Sequence, residues 1–289
     1  MSYKIFIDEF PTMDSFWKFC ETAPNNAAFG NRHDSDSTGR DSCEFTGTKT
    51  LEEALNLFRN GYDAGAKAIN CDGSGFSRQV QRAQVRNYYV GACPNVPRAM
   101  QGLPDAMRQV YRVPQKQRVI TVFYDVCASG SVRAEKMQEA AKRFYAAVNA
   151  LEKAGVRVEI LVGEAVQYEG GRETVLVSPA ITVKKASERG DSGRLGFVLT
   201  HPSFLRRLMF KYSEVCTHLG KEQESGSWGY GRVVAFDANA SKLFLSELSR
   251  RYKDAVYMGV TKILTDKQLA TEQGILDYMR REAAAGGAQ

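Results

Sequence analysis

The sequence predicts an α/β protein with a doubly wound, mostly parallel sheet, and three observations carry that expectation. RVITVFYD, residues 118–125, is a near-continuous apolar run, as a strand covered on both faces should be. After it Met137, Ala141, Phe144, Val148 and Leu151 recur at alternating steps of four and three, the stripe of an amphipathic helix. VRVEILVG, residues 156–163, is a second apolar run, so 118–163 has the order of a β-α-β unit, whose strands should be parallel with a right-handed crossover.

The 289 residues are 43% hydrophobic, enough for a proper core. No stretch approaches the roughly 18 uninterrupted apolar residues of a membrane span. The start, MSYKIFIDEF, carries Asp8 and Glu9 where a secretory leader would keep an apolar run, so a cytoplasmic protein is expected. Six scattered cysteines and three histidines show neither a disulfide framework nor the short spacings of a zinc site. The formal net charge is +6, with Lys and Arg interleaved among Asp and Glu. Such a surface attracts polyanions regardless of their sequence.

Residues 1–115 read as a mainly helical N-terminal region. YKIFIDEF is a short strand, SFWKFC begins a helix, and residues 23–42 form a flexible polar loop rich in Gly, Asn, Ser and Asp. Thr50 with Glu53 three residues on is a capping box for LEEALNLFRNG, which Gly61 ends. FSRQVQRAQVRNYY reads as a second helix with Arg78, Arg82 and Arg86 on one face. GACPNVPRAMQGLPDAM, with Pro94, Pro97 and Pro104, is a rigid turning connector.

Residues 116–282 form the α/β domain, and 283–289 are a tail. Beyond the β-α-β unit, ETVLVSPAITVKK is a third strand, and Pro179 places it at an edge or a bulge. HPSFLRRLMFKYSE has a helical stripe in Phe204, Leu208 and Tyr212. RVVAFD is a buried strand ending in Asp237, ASKLFLSELSRRY a helix and DAVYMGV a last strand. A closing helix follows, capped by Thr265 or Asp266.

Asp125 ends the first central strand and is followed by the small side chains of Cys127, Ser129 and Ser131. In open α/β sheets a crevice at the strands' carboxyl ends is the usual ligand site. Two carboxylates, Asp125 and Asp237, with hydroxyls and waters would make an oxygen site suited to Mg2+ or Mn2+. The alternative is a turn in which Ser129 or Ser131 caps the next helix. Cys127 reads as an inert thiol, Arg206 and Arg207 as a solvated helix face, and GSWGYG, residues 226–231, as a loop exposing Trp228 and Tyr230.

Residues 118–280 resemble a von Willebrand factor A-like domain, whose metal-ion-dependent adhesion site opens with Asp-x-Ser-x-Ser after the first central strand. The matching residues are Asp125, Cys127 and Ser129, with Asp237 for the later aspartate and Thr200 the nearest residue to the intermediate threonine. Cysteine at the first serine position makes the site degenerate, because a thiol is a poor ligand for a hard cation. FTGTKTLEEALNLFRNGYDAG, GACPNVPRAMQGLP and THPSFLRRLMF also resemble a family of uncharacterised phage and actinobacterial proteins. These resemblances imply a non-enzymatic protein-interaction module whose contact surface is the rim of Asp125, Ser129 and Asp237, assisted by Mg2+ or Mn2+, in a bacterial or host cytoplasm. Two other classes compete with it: a nucleic-acid-binding protein using a basic surface, and a metal-dependent phosphoester hydrolase.

Overall fold

A computed structural model describes residues 2–24, 34, 40–71, 81–114, 117–170, 173–219, 230–253 and 255–286. Its main sheet has seven strands: β1 (Ser2–Phe10), β5 (Val119–Asp125), β6 (Arg157–Gly163), β7 (Val166–Gly170), β8 (Glu173–Lys184), β9 (Arg232–Val233) and β10 (Val256–Gly259). A second sheet of three antiparallel strands comprises β2 (Gln81–Tyr88), β3 (Cys93–Pro94) and β4 (Met107–Pro114).

The β-α-β unit forms as its pattern requires. β5 and β6 pair in parallel, from Val119 opposite Arg157 to Asp125 opposite Gly163. Between them runs α6 (Ala134–Lys153), in which Met137, Ala141, Phe144, Val148 and Leu151 are all buried. Phe144 stacks on Tyr124 of β5 with ring centroids 4.3 Å apart. The buried ammonium of Lys184, at the end of β8, lies 2.6 Å from Glu152 of α6 and donates to the Val158 carbonyl. A charge taken out of water is tolerated only with such partners.

The sheet as a whole is mixed rather than mostly parallel. β10–β5, β5–β6 and β1–β8 are parallel, whereas β6–β8, β7–β8 and β7–β9 are antiparallel. β6 and β7 together run as one broken strand alongside the long β8. The last pair before the break is Val162 with Ile181, and the first after it is Val166 with Val177. Pro179 faces that break, where a missing N–H is least disruptive. Gly163 is required there, because a Cβ on it would lie 1.9 Å from the Pro179 carbonyl oxygen.

The boundary expected at residue 115 does not divide the core. β1 is a strand of the main sheet, paired along β8 from Ser2 opposite Glu173 to Phe10 opposite Ile181. α1 (Met13–Thr22) and α3 (Leu51–Asn60) place Phe16 and Phe58 in the same buried cluster as Tyr124 and Phe144. Around these two the rings of Phe10, Phe197 and Phe204 meet edge-on or stacked. On the opposite face of the sheet, α9 (Ala238–Arg251) buries Phe244 and Leu248 against Phe123 and Leu161. Helices therefore cover both faces.

Local signals were realised with shifts of a residue or two. Thr50 accepts the Glu53 N–H at 3.1 Å, but the Glu53 carboxylate returns to the N–H of Lys49 rather than to the cap residue. Asp266 caps only a short turn at Lys267–Leu269. Thr271 accepts the Gly274 N–H at the start of α11 (Glu272–Gly286), which reaches into the expected tail. RVVAFD is not a strand to its end: β9 stops at Val233, and a 3-10 turn, Val234–Phe236, delivers Asp237.

Arg206 and Arg207 correct the expectation of a solvated helix face. They lie in a π-helical segment, Phe204–Met209, that runs on into α8 (Phe210–Val215), and both are buried. Arg206 donates to the carbonyls of Phe45 and Val132, and Arg207 to Thr48 and the Lys49 carbonyl. The two buried cations are thus satisfied by carbonyls and a hydroxyl of the segment 45–49 and by the Val132 carbonyl. Most of the polar loop expected at 23–42 lies outside the described residues; Arg40–Thr46 is the helix α2.

Candidate functional site

The strand-end crevice holds Asp125, but in a sealed setting. The carboxylate is 1% exposed and takes three donors: the N–H groups of Cys127 (2.8 Å) and Ala165 (3.2 Å), and the Tyr257 hydroxyl (2.5 Å). Burial outweighs these donors and pushes its pKa up to about 7. Glu164, the residue after β6, is buried beside it and is pushed up to about 8 by burial, with the charge of Asp125 adding to the rise. Its Oε1 accepts the Ser213 hydroxyl at 2.6 Å.

Cys127 contributes backbone rather than sulfur chemistry. Its N–H holds Asp125 and its carbonyl accepts the Thr261 hydroxyl, while burial and the two carboxyls push its thiol well above the ordinary range. That is the opposite of nucleophile activation. Ser129 and Ser131 are exposed and bond to each other at 3.1 Å. Neither caps α6, whose N-cap residue, Arg133, makes no side-chain cap bond. Asp237 is the cap of α9, accepting the N–H groups of Asn239 and Ala240, and these hold its pKa below the usual carboxylate value. Among the described residues no hydrogen bond joins Asp125, Ser129 and Asp237. Trp228 lies outside the described residues, and Tyr230 is half-buried, stacked on Phe210 at 3.6 Å.

The surface with the most unusual chemistry lies at 81–114. The second helix expected there, through FSRQVQRAQVRNYY, is instead the strand β2, paired antiparallel with β4 from Gln81 opposite Pro114 to Tyr88 opposite Met107. Arg78 lies outside the described residues. Between Ala83 and Val113 no residue is buried. Val85 and Val110 sit opposite each other at 63% and 58% exposure, and Tyr89, Val90, Val96 and Met100 are exposed as well. This sheet has defined strands and no core, although apolar faces of this kind are normally covered.

Its composition is skewed in the same direction. Residues 81–114 contain five arginines (Arg82, Arg86, Arg98, Arg108, Arg112), one acid (Asp105) and neither Lys nor Glu. Asp105 is already held by Arg98 at 2.6 Å. Arg86 lies over the rings of Tyr88 and Tyr111 at 4.8 and 4.9 Å and donates to Gln109. A guanidinium stacked between tyrosines is a rigid donor ready for a planar anion. By contrast, an open groove of about 1180 Å³ beside α4 (Asp63–Ala68) and α6 has Lys67, Lys142, Arg143 and Lys153 interleaved with Asp63, Glu139 and Glu272, and so selects neither sign of charge.

The family model described as a domain of unknown function (DUF7192) matches residues 2–271. The chain belongs to that family. No curated protein and no solved structure matches it. The matched range contains β1, the small sheet and the α/β body as far as residue 271.

This sheet is not legible in the sequence because its pattern fits two periods. A spacing of four puts Arg82 and Arg86 on one side of either a helix or a strand, and neither face of the strand is purely apolar. Glu164 was missed because it lies beyond the strand's apolar run. Only the pairing of Asp125 with Gly163 brings it to the buried carboxyl.

Proposed function

We propose that this chain is a non-enzymatic protein-interaction module whose contact element is the three-stranded sheet 81–114, and that the partner's face carries carboxylates. The observation that carries this is a 31-residue stretch, 83–113, with regular strands and no buried residue. Enrichment in Tyr, Met and Arg with loss of Lys and Glu is the composition of interface cores. The excess of arginines favours an acidic partner and disfavours pairing of two such sheets, since like charges would face each other. This moves the contact surface away from the rim of Asp125, Ser129 and Asp237.

The same arginines support a second reading, in which the sheet lies against a nucleic acid. Phosphates would meet Arg86, Arg108 and Arg112, and bases would meet Tyr88 and Tyr89. The exposed valines favour the protein partner. A photo-crosslinking residue at position 85 or 110, used in the native cell, separates the two. A defined protein adduct that Arg86→Glu with Arg112→Glu abolishes supports the proposal. Adducts removed by nuclease favour the second reading, and adducts only between copies of the chain sink both.

We also propose kinship with von Willebrand A-like domains for the body, with a metal-free rim. The parallel order β10–β5–β6 with Asp125 at its carboxyl end supports it.

A further inference from the structure

One cluster of ligating side chains lies apart from both the crevice and the small sheet. Asp8 lies toward the C-terminal end of β1, opposite Pro179 of β8. Cys216 is the first residue past α8, and His218 follows two positions later. One ligand atom from each of the three lies within 4.8 Å of the others. His218 Nε2 is 2.8 Å from Asp8 Oδ1, and the Tyr212 hydroxyl donates to Asp8 Oδ2 at 2.8 Å. The imidazole stacks on Phe6 with centroids 4.2 Å apart and an interplanar angle of 5°.

We propose that Asp8, Cys216 and His218 form a binding site for Zn2+, with three protein ligands and a fourth position for water or an exogenous ligand. A thiolate with an imidazole and a carboxylate selects a borderline ion such as Zn2+ over Mg2+ or Ca2+. Ligand atoms of a tetrahedral zinc stand roughly 3.3–3.6 Å apart, given bond lengths of about 2.0–2.3 Å. The three atoms reach that spacing by shifts of about 1 Å. Supports outside the ligand set are already present: Tyr212 fixes the carboxylate and Phe6 fixes the plane of the ring. A Cys-His-Asp relay for nucleophilic catalysis is the competing use of the same trio. It is disfavoured because Cys216 is buried, which leaves a nucleophilic sulfur little access to a substrate.

The experiment uses the full chain, stripped with a chelator and titrated with Co2+ as a coloured stand-in for Zn2+. The expected result is a thiolate-to-cobalt charge-transfer band that saturates at one equivalent and is bleached by Zn2+. Cys216→Ser should remove the band, and His218→Gln, which removes a ligand, should weaken binding by more than the roughly 10–100-fold typical of losing a residue that only supports one. Cys93→Ser, at an exposed cysteine, should change nothing. If Cys216→Ser fails to fold by far-ultraviolet circular dichroism, Asp8→Asn and His218→Gln supply the readout: each, when folded, must weaken the cobalt band that Cys93→Ser keeps. Absence of a thiolate band at stoichiometric cobalt, survival of the band in a folded Cys216→Ser chain, or an undiminished band in folded Asp8→Asn and His218→Gln overturns the site.

Discussion

The β-α-β unit at 118–163 and the small sheet at 81–114 are built from similar apolar residues, yet they use them in opposite ways. In the first, Ile120, Val122, Phe123 and Tyr124 are sealed between α6 on one face and α9 on the other. In the second, Val85 and Val110 meet across a strand pair and both face solvent. A strand is stabilised by what covers it rather than by its own propensity. The unit takes its cover from its own chain, whereas the small sheet finds none among the described residues, which is why we propose the sheet as a contact element on the scaffold of the unit.

The sharpest way to test this contrast is to remove a large side chain from each region. Phe144→Ala is expected to destabilise the fold by about 3–5 kcal/mol, read from denaturant midpoints at constant m-value. A loss under about 1 kcal/mol would place Phe144 outside the core.

The next effect concerns pH and lies within the unit. Burial raises Asp125 to about 7 and Glu164 to about 8, so above about pH 4 the folded chain keeps protons that the unfolded chain has released. Stability should therefore fall as pH rises from about 4, and level off once the folded-state values near 7 and 8 are passed. Each group contributes at most about 1.4 kcal/mol per pH unit inside its window. Asp125→Asn should flatten the fall between pH 5 and 7, followed by thermal unfolding. An unchanged slope in that variant would remove Asp125 as its source.

In the small sheet the expectation reverses. Val85→Ser with Val110→Ser should alter stability by no more than about 0.5 kcal/mol, as exposed positions do, while abolishing the protein adduct captured by a photo-crosslinking residue placed instead at the exposed position 90. If the pair instead lowers the denaturant midpoint as Phe144→Ala does, the sheet has cover of its own and the contrast collapses.

The smallest effect is expected at Ser129, whose hydroxyl bonds to that of Ser131 on the exposed loop. Ser129→Ala should leave both the unfolding midpoint and Mg2+ or Mn2+ binding by calorimetry within error. A measurable loss of divalent-ion affinity would return the rim to the centre of the protein's function.

Some of this was present in the sequence alone. The strand ending in Asp125, the helix stripe from Met137 to Leu151 and the Thr50 cap each depend on neighbours a few residues apart, and all three formed. What the tertiary structure decided depends on partners far along the chain. β1 pairs with β8 across more than 160 residues, Arg207 finds the carbonyls of residues 48 and 49, and Asp8 meets His218. A period of two or of 3.6 reports which face of an element is apolar, but not what will cover it or whether anything in the same chain will. For 118–163 the cover comes from the chain itself. For 81–114 no such cover is found among the described residues, and only the three-dimensional arrangement could expose that.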